Sequence, residues 1–229
     1  MISEKPLFVV LKNFQRNRMV NLTATSVKHF LPNASIYCLT LYKESMDEYA
    51  SQEPLLPFIT EFTEKTKFVS GKDIHDSNNP HEVSGFGHPN NGAFFAEGYN
   101  MIFEKFRGSD QKVLMLAEDH FFTSGQTLRE VVDVDWDLAY GPWAEWQGCY
   151  SVNGSILGVV PSKVGHCFPV GEMENVTVEW LFYNMLIRQV DKDRVHAFST
   201  RREDNYFGDG MYTNSSEVIE EKMREAGIL

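Results

Sequence analysis

Residues Lys112 to Phe122 read Lys-Val-Leu-Met-Leu-Ala-Glu-Asp-His-Phe-Phe, and this stretch constrains the fold more than any other. An unbroken apolar run, Val113 to Ala117, leads straight into Glu118, Asp119 and His120. Such a run between charged residues suits a central strand covered on both faces, as in parallel sheets flanked by helices. In open α/β sheets ligands bind beyond the carboxyl ends of such strands, so the acidic trio is expected at the mouth of a cleft. Two carboxylates and an imidazole are hard-to-borderline donors, suited to Mg2+ or Mn2+ carrying a phosphorylated substrate. The same residues also fit a strand that merely turns polar as it meets solvent.

The rest of the chain supplies the alternation that an α/β sheet needs. Leu7 to Leu11 reads as a short buried strand, followed by a polar turn from Lys12 to Asn17. Val20, Ala24, Val27 and Leu31 then share one helical face, with Lys28 and His29 in the last turn and Pro32 as the stop. Ser35 to Tyr42, rich in β-formers, completes a strand–helix–strand unit. Residues 43 to 66 read as helix in pieces, broken by Pro54 and Pro57, and Lys67 to Ser70 as an edge-like third strand. From Gly71 to Asn91 the composition is that of a loop, and one of that length is usually functional. Phe95, Tyr99, Ile102, Phe103 and Phe106 mark a helix ahead of the acidic strand. Strands at Asp137–Tyr140 and Ser155–Val160, a helix over 176–190, a short strand near Val195 and a helix over 216–226 follow. The expectation is one α/β domain spanning 1–229, with a mostly parallel central sheet flanked by helices.

Composition narrows the partners. The net charge of −11, from 21 basic and 32 acidic residues, argues against nucleic acid or an anionic membrane as a bulk electrostatic partner. Cys38, Cys149 and Cys167 are odd in number and in no metal spacing, which suits free thiols in a reducing compartment. No segment approaches the roughly 18 apolar residues of a transmembrane segment, and the N-terminal residues lack a basic-then-apolar leader. A cytoplasmic protein is expected.

The order of these features resembles the nucleotide-sugar glycosyltransferases of the GT-A fold, a Rossmann-related class, and its family-2-like inverting branch in particular. The likeness runs over roughly residues 5 to 200. It is carried by Asn91-Gly92 and Ala96 to Asn100 ahead of Val113 to His120, by Asn153 to Gly158, and by Val178-Glu179-Trp180-Leu181. Two positions depart from the pattern. His120 stands where the metal motif usually ends in Asp, and Glu179 stands where the catalytic base is usually Asp.

The resemblance implies a nucleotide-binding half over about 1–122 and an acceptor-side half over about 123–229. It implies Mn2+ or Mg2+ as cofactor, a nucleotide-sugar donor, and a glycan, lipid-linked or protein acceptor. Glu118 would face the ribose, and Asp119, His120 and His196 are the candidate metal ligands. His196 fits equally well as a packed histidine on a terminal strand. Lys12, Arg16 and Arg18 follow the first strand, where the family places its nucleotide; Asp73, Asn91 and Asn100 are further donor-site candidates. For inversion a carboxylate must take the acceptor proton. Glu179 is the first candidate and Glu174 the second, with Glu172 nearby. Trp143 and Trp146 lie in a turn-rich segment and suit either sugar stacking or a lid on the core. Arg201 and Arg202 are placed to close over a diphosphate.

Competing readings differ in class. A nucleotidyltransferase would show a glycine-rich loop after the first strand, and Asn13 to Asn17 contains no glycine. A serine or cysteine hydrolase would need a Gly-x-Ser-x-Gly elbow or a Cys/His context, and the chain has neither. A non-catalytic relative that binds a nucleotide-sugar, glycan or protein remains the alternative, kept open by His120 and Glu179.

Overall fold

In the computed structural model the described residues are 7–13, 17–42, 53–65, 98–118, 120–146, 149–164, 186–198 and 216–229. They form a single α/β domain around one mixed sheet of seven strands: β1 (Leu7–Asn13), β2 (Ser35–Tyr42), β3 (Ile59–Lys65), β4 (Lys112–Ala117), β5 (Leu138–Trp146), β6 (Cys149–Val159) and β7 (Val195–Ala197). The helices are α1 (Asn17–Phe30), α2 (residues 98–105), α3 (Gln126–Asp133) and α4 (Ser216–Glu225). The strand order is β3-β2-β1-β4-β6-β5-β7. Neighbours pair in parallel except for β6, which runs antiparallel to both β4 and β5.

The apolar run of β4 divides between the two faces, as strand alternation requires. Leu114 and Leu116 pack with Leu7, Val9 and Leu11 of β1 under Val20, Ala24 and Val27 of α1 and Leu128 and Val131 of α3. Val113 and Met115 pack on the other face with Val10 and Leu39 beneath Tyr99, Ile102, Phe103 and Phe106 of α2 and the turn after it. All four β4 residues are at most 1% exposed, and each such side chain stabilises the fold by about 1.5–3 kcal/mol. A third cluster joins Met19 and Leu22 of α1 and Phe121 to Ile219 and Met223 of α4.

Two expectations are corrected. Residues 59–65 are an edge strand, not pieces of helix: Ile59 to Lys65 pair in parallel register with Ile36 to Tyr42 of β2. The Trp143–Trp146 segment is not a turn, because β5 runs through it to Trp146 and pairs with a longer β6. Register shifts at Tyr140/Gly141 and Pro142/Glu145 accommodate the proline, which a regular ladder would reject. Helix α3, unread in the sequence, buries Thr127, Leu128, Val131 and Val132 at helical spacing. Its last carbonyls are held by Lys112, whose Nζ donates to Val131 O (2.8 Å), Val132 O (3.2 Å) and Val134 O (2.6 Å). The expected strand at 67–70, loop at 71–91 and most of the helix at 176–190 lie outside the described residues.

Candidate functional site

The chain order reverses between β1 and β4: β2 and β3 lie to one side of β1, and β4 lies to the other. At such a switch point the loops leaving adjacent strands diverge and open a crevice beyond their carboxyl ends. Lys12 sits beside Ala117 in register, so Asn13 and Glu118 come next as β1 and β4 end. Sequence reasoning treated Lys12 and Asn13 as a turn. The strand instead carries both, and they are 1% and 0% exposed.

Lys12 follows Val10 on the α2 face. Its Nζ donates to Tyr99 Oη at 2.6 Å and lies 4.2 Å from that ring's centroid. Burying an ammonium is costly unless it is bonded, and the phenol supplies both a lone pair and a π face. Asn13 points to the α1 face, where its Nδ2 donates to Asn17 Oδ1 (2.8 Å) and Thr40 Oγ1 (3.3 Å). The Thr40 hydroxyl in turn donates to Glu61 Oε1 at 2.6 Å. Thus a polar chain runs from the carboxyl end of β1 across β2 to Glu61 of β3. Cys38 lies under it, with Sγ 3.7 Å from Thr40 Oγ1. Burial pushes its thiol up to about 12, against a smaller downward pull from the Thr40 hydrogen bond. A thiol held neutral in this way is no nucleophile at neutral pH.

Beyond β4 the strand turns at once. His120 N donates to Ala117 O at 3.1 Å, so the placement of His120 relative to β4 is set by a turn and not by strand alternation. Glu118 is 3% and His120 1% exposed, and the His120 ring packs 5.2 Å from that of Phe122. Thr23 of α1 donates to Glu118 O at 2.6 Å.

The structure therefore brings Lys12, Glu118 and His120 to one edge, and adds Asn13, Thr40, Thr23 and Tyr99, which the sequence reading left out. For Asn13 and Thr40 the local signal is polarity near the end of an apolar strand; Thr23 and Tyr99 lie on helices and carry none. Asn100 sits half-buried on α2 beside Tyr99. His196 is elsewhere. It pairs with Ala139, which pairs with Gly158, which pairs with Leu114, so it stands level with the middle of β4. Three strand spacings of about 4.8 Å separate it from β4. Its Nε2 lies 3.3 Å from Glu130 Oε2 of α3, and the structure does not bring the two histidines together. Arg18 is engaged as well: Glu220 of α4 accepts from its Nε (3.0 Å) and Nη2 (2.5 Å), and this bond raises the guanidinium's pKa. Arg16, Asp73, Asn91, Asp119, Glu172, Glu174, Glu179, Arg201 and Arg202 lie outside the described residues. Among the described residues no three His, Cys, Asp or Glu side chains form a group that could hold a metal, and no helix is long and apolar enough to cross a membrane.

No family model matches the chain, and no curated protein matches it. Solved structures do. The glycosyltransferase GlyE of Streptococcus pneumoniae TIGR4 is 15% identical with a TM-score of 0.47, over 86% of this chain and 45% of that one. This chain thus spans under half the length of GlyE. Mouse xyloside xylosyltransferase 1 is 9% identical with a TM-score of 0.41, over 85% and 84% of the two chains. The inositol-1-phosphate CTP transferase of T. maritima is 8% identical with a TM-score of 0.44, over 96% of each.

Proposed function

We propose that the chain is a glycosyltransferase drawing its sugar from a nucleoside-diphosphate sugar. The observation that carries this reading is a coincidence of place. At the switch point between β1 and β4 the adjoining carboxyl ends of the two strands carry four buried polar residues, Lys12, Asn13, Glu118 and His120. Buried polar groups are costly, and a site that spends them at a crevice mouth is built for a polar ligand. α1 opens at the same edge with no acid of its own in its first turn, a helix end whose dipole favours an anion. A nucleotidyltransferase is the weaker reading, since the segment between β1 and α1 has no glycine to wrap a triphosphate.

In this reading the bond from the anomeric carbon to the diphosphate oxygen breaks as the acceptor oxygen attacks. Lys12 places fixed positive charge at the site, and Glu118 accepts from the ribose hydroxyls. Glu179, or Glu174, takes the acceptor proton, and inversion follows from attack opposite the leaving group. One carboxylate and one imidazole, completed by the substrate phosphates, suit Mn2+ better than the harder Mg2+. Asp119 and His120 would hold the cation, and when bound it neutralises charge on the diphosphate.

A thermal-shift panel of nucleoside-diphosphate sugars, each with and without Mn2+ or Mg2+, tests this. The expected result is a shift with one donor that needs the cation and disappears in Asp119→Ala and His120→Ala. Release of free nucleoside diphosphate on adding acceptor then establishes transfer. No shift with any donor under either cation would move the reading to a non-catalytic binding protein.

A further inference from the structure

Helix α1 is buried on more sides than a surface helix should be. Val20, Ala24 and Val27 face the sheet, yet Thr23 and Ser26 are also 0% exposed. Neither hydroxyl meets solvent, and both are spent on the segment that follows β4. Thr23 Oγ1 donates to Glu118 O at 2.6 Å. Ser26 Oγ accepts from Phe122 N at 3.1 Å while donating to Thr23 O at 2.7 Å. Between these two anchors lies the turn closed by His120 N and Ala117 O. A third restraint comes from Phe121, 1% exposed, whose side chain is clamped among Met19, Leu22, Ile219 and Met223. The chain after β4 is therefore held by α1 at Glu118 and Phe122, and by α1 and α4 together at Phe121.

We propose that Thr23 and Ser26 are positioning residues, which hold Glu118 and His120 in the geometry that the cation-assisted part of donor binding requires. The proposal rests on the donor site argued above. Its physical basis is that a turn beyond the last ladder bond has no sheet partner to hold it. Buried backbone groups there must find side-chain partners. Groups that hold ligands in this way typically change metal affinity by about 10- to 100-fold when removed.

The test uses the full chain, a panel of UDP, GDP, ADP and CDP, and calorimetry with Mn2+ or with EDTA. Thr23→Val keeps the shape and removes the hydroxyl. It is expected to lower affinity in Mn2+ by about tenfold or more and in EDTA by clearly less, since only the Glu118 contact to the ribose is then affected, and Thr23→Ser is expected to restore both. Ser26→Ala is a second variant with the same expected pattern. Without ligand, hydrogen exchange at the His120 and Phe122 amides should rise in both variants while the β4 amides stay protected. Equal losses with and without Mn2+, no loss in either variant, or unchanged exchange at those amides would each overturn the proposal. A parent chain that binds none of the four diphosphates removes the donor site itself, and so is told apart from a failure of the positioning role.

Discussion

Gly158 offers the sharpest test of how this sheet is packed. It lies on β6 opposite Leu114 of β4, and the Trp136 indole rests on its bare Cα. A Cβ built there would stand 2.7 Å from Trp136 Cη2, 3.1 Å from Cζ3 and 3.2 Å from Cζ2. Ordinary carbon contacts are about 3.5–4.0 Å. The indole has little room to retreat: it is 1% exposed, with Lys112 Nζ 4.6 Å from its ring and Phe198 edge-on at 6.3 Å. Two terms oppose each other in Gly158→Ala. Alanine in a strand gains about 0.5–1 kcal/mol over glycine from backbone entropy. Overpacking a filled core costs about 1–3 kcal/mol. The clash wins, for a net loss of about 1–2 kcal/mol and a melting temperature lower by about 3–6 °C in a domain of this size. Urea unfolding should show a lower midpoint with an unchanged slope. In a Trp136→Phe background the clashing benzo-ring atoms are gone, and the same substitution should be neutral or mildly stabilising. The coupling between the two sites is then about 1–2 kcal/mol. Equal losses in both backgrounds, or no loss in the parent, would refute this packing account.

Other expectations follow from single side chains. Lys112→Met should cost about 2–3 kcal/mol, because three carbonyls at the end of α3 lose a charged donor; urea midpoints read it directly. The Cys38 thiol is raised by burial to about 12, so the folded state keeps a proton that the unfolded chain loses first. Stability should therefore be flat below about pH 9 and fall above it by up to about 1.4 kcal/mol per pH unit; Cys38→Val removes that part of the slope. Peptide mapping after iodoacetamide at pH 8 should find Cys38 unmodified until the chain is unfolded. Glu220 holds its carboxyl below the usual range through its bond to Arg18, so its contribution is present at neutral pH and lost as pH falls. Glu220→Gln should lower the melting temperature slightly, and the difference should vanish in about 1 M NaCl, where the screening length is about 3 Å.

Hydrophobic patterning alone determined the class of this protein. The run from Val113 to Ala117 demanded cover on both faces, and the structure supplies α1 and α3 on one side and α2 on the other. The spacing of Val20, Ala24 and Val27, the β-formers of Ser35 to Tyr42 and the charged amphipathic stretch at the C-terminus were legible for the same reason. Period and composition report local geometry and burial, and nothing else. They do not name neighbours, and neighbours decided the rest. Ile59 to Lys65 is rich enough in Glu and Lys to pass for helix, and becomes a strand because the edge of β2 is there to pair with it. Gly141 and Pro142 signal a turn, and β5 passes through them because a bulge against β6 absorbs the misfit. Lys12 and Asn13 read as loop until Tyr99 and Thr40, distant in sequence, provide the bonds that let them be buried. Thr23 and Ser26 look like indifferent helix residues until the chain after β4 is laid across them. Glu118 and His120 could be seen in the sequence as candidates; what holds the chain at Glu118 and Phe122 is a set of long-range contacts, which only the tertiary structure makes.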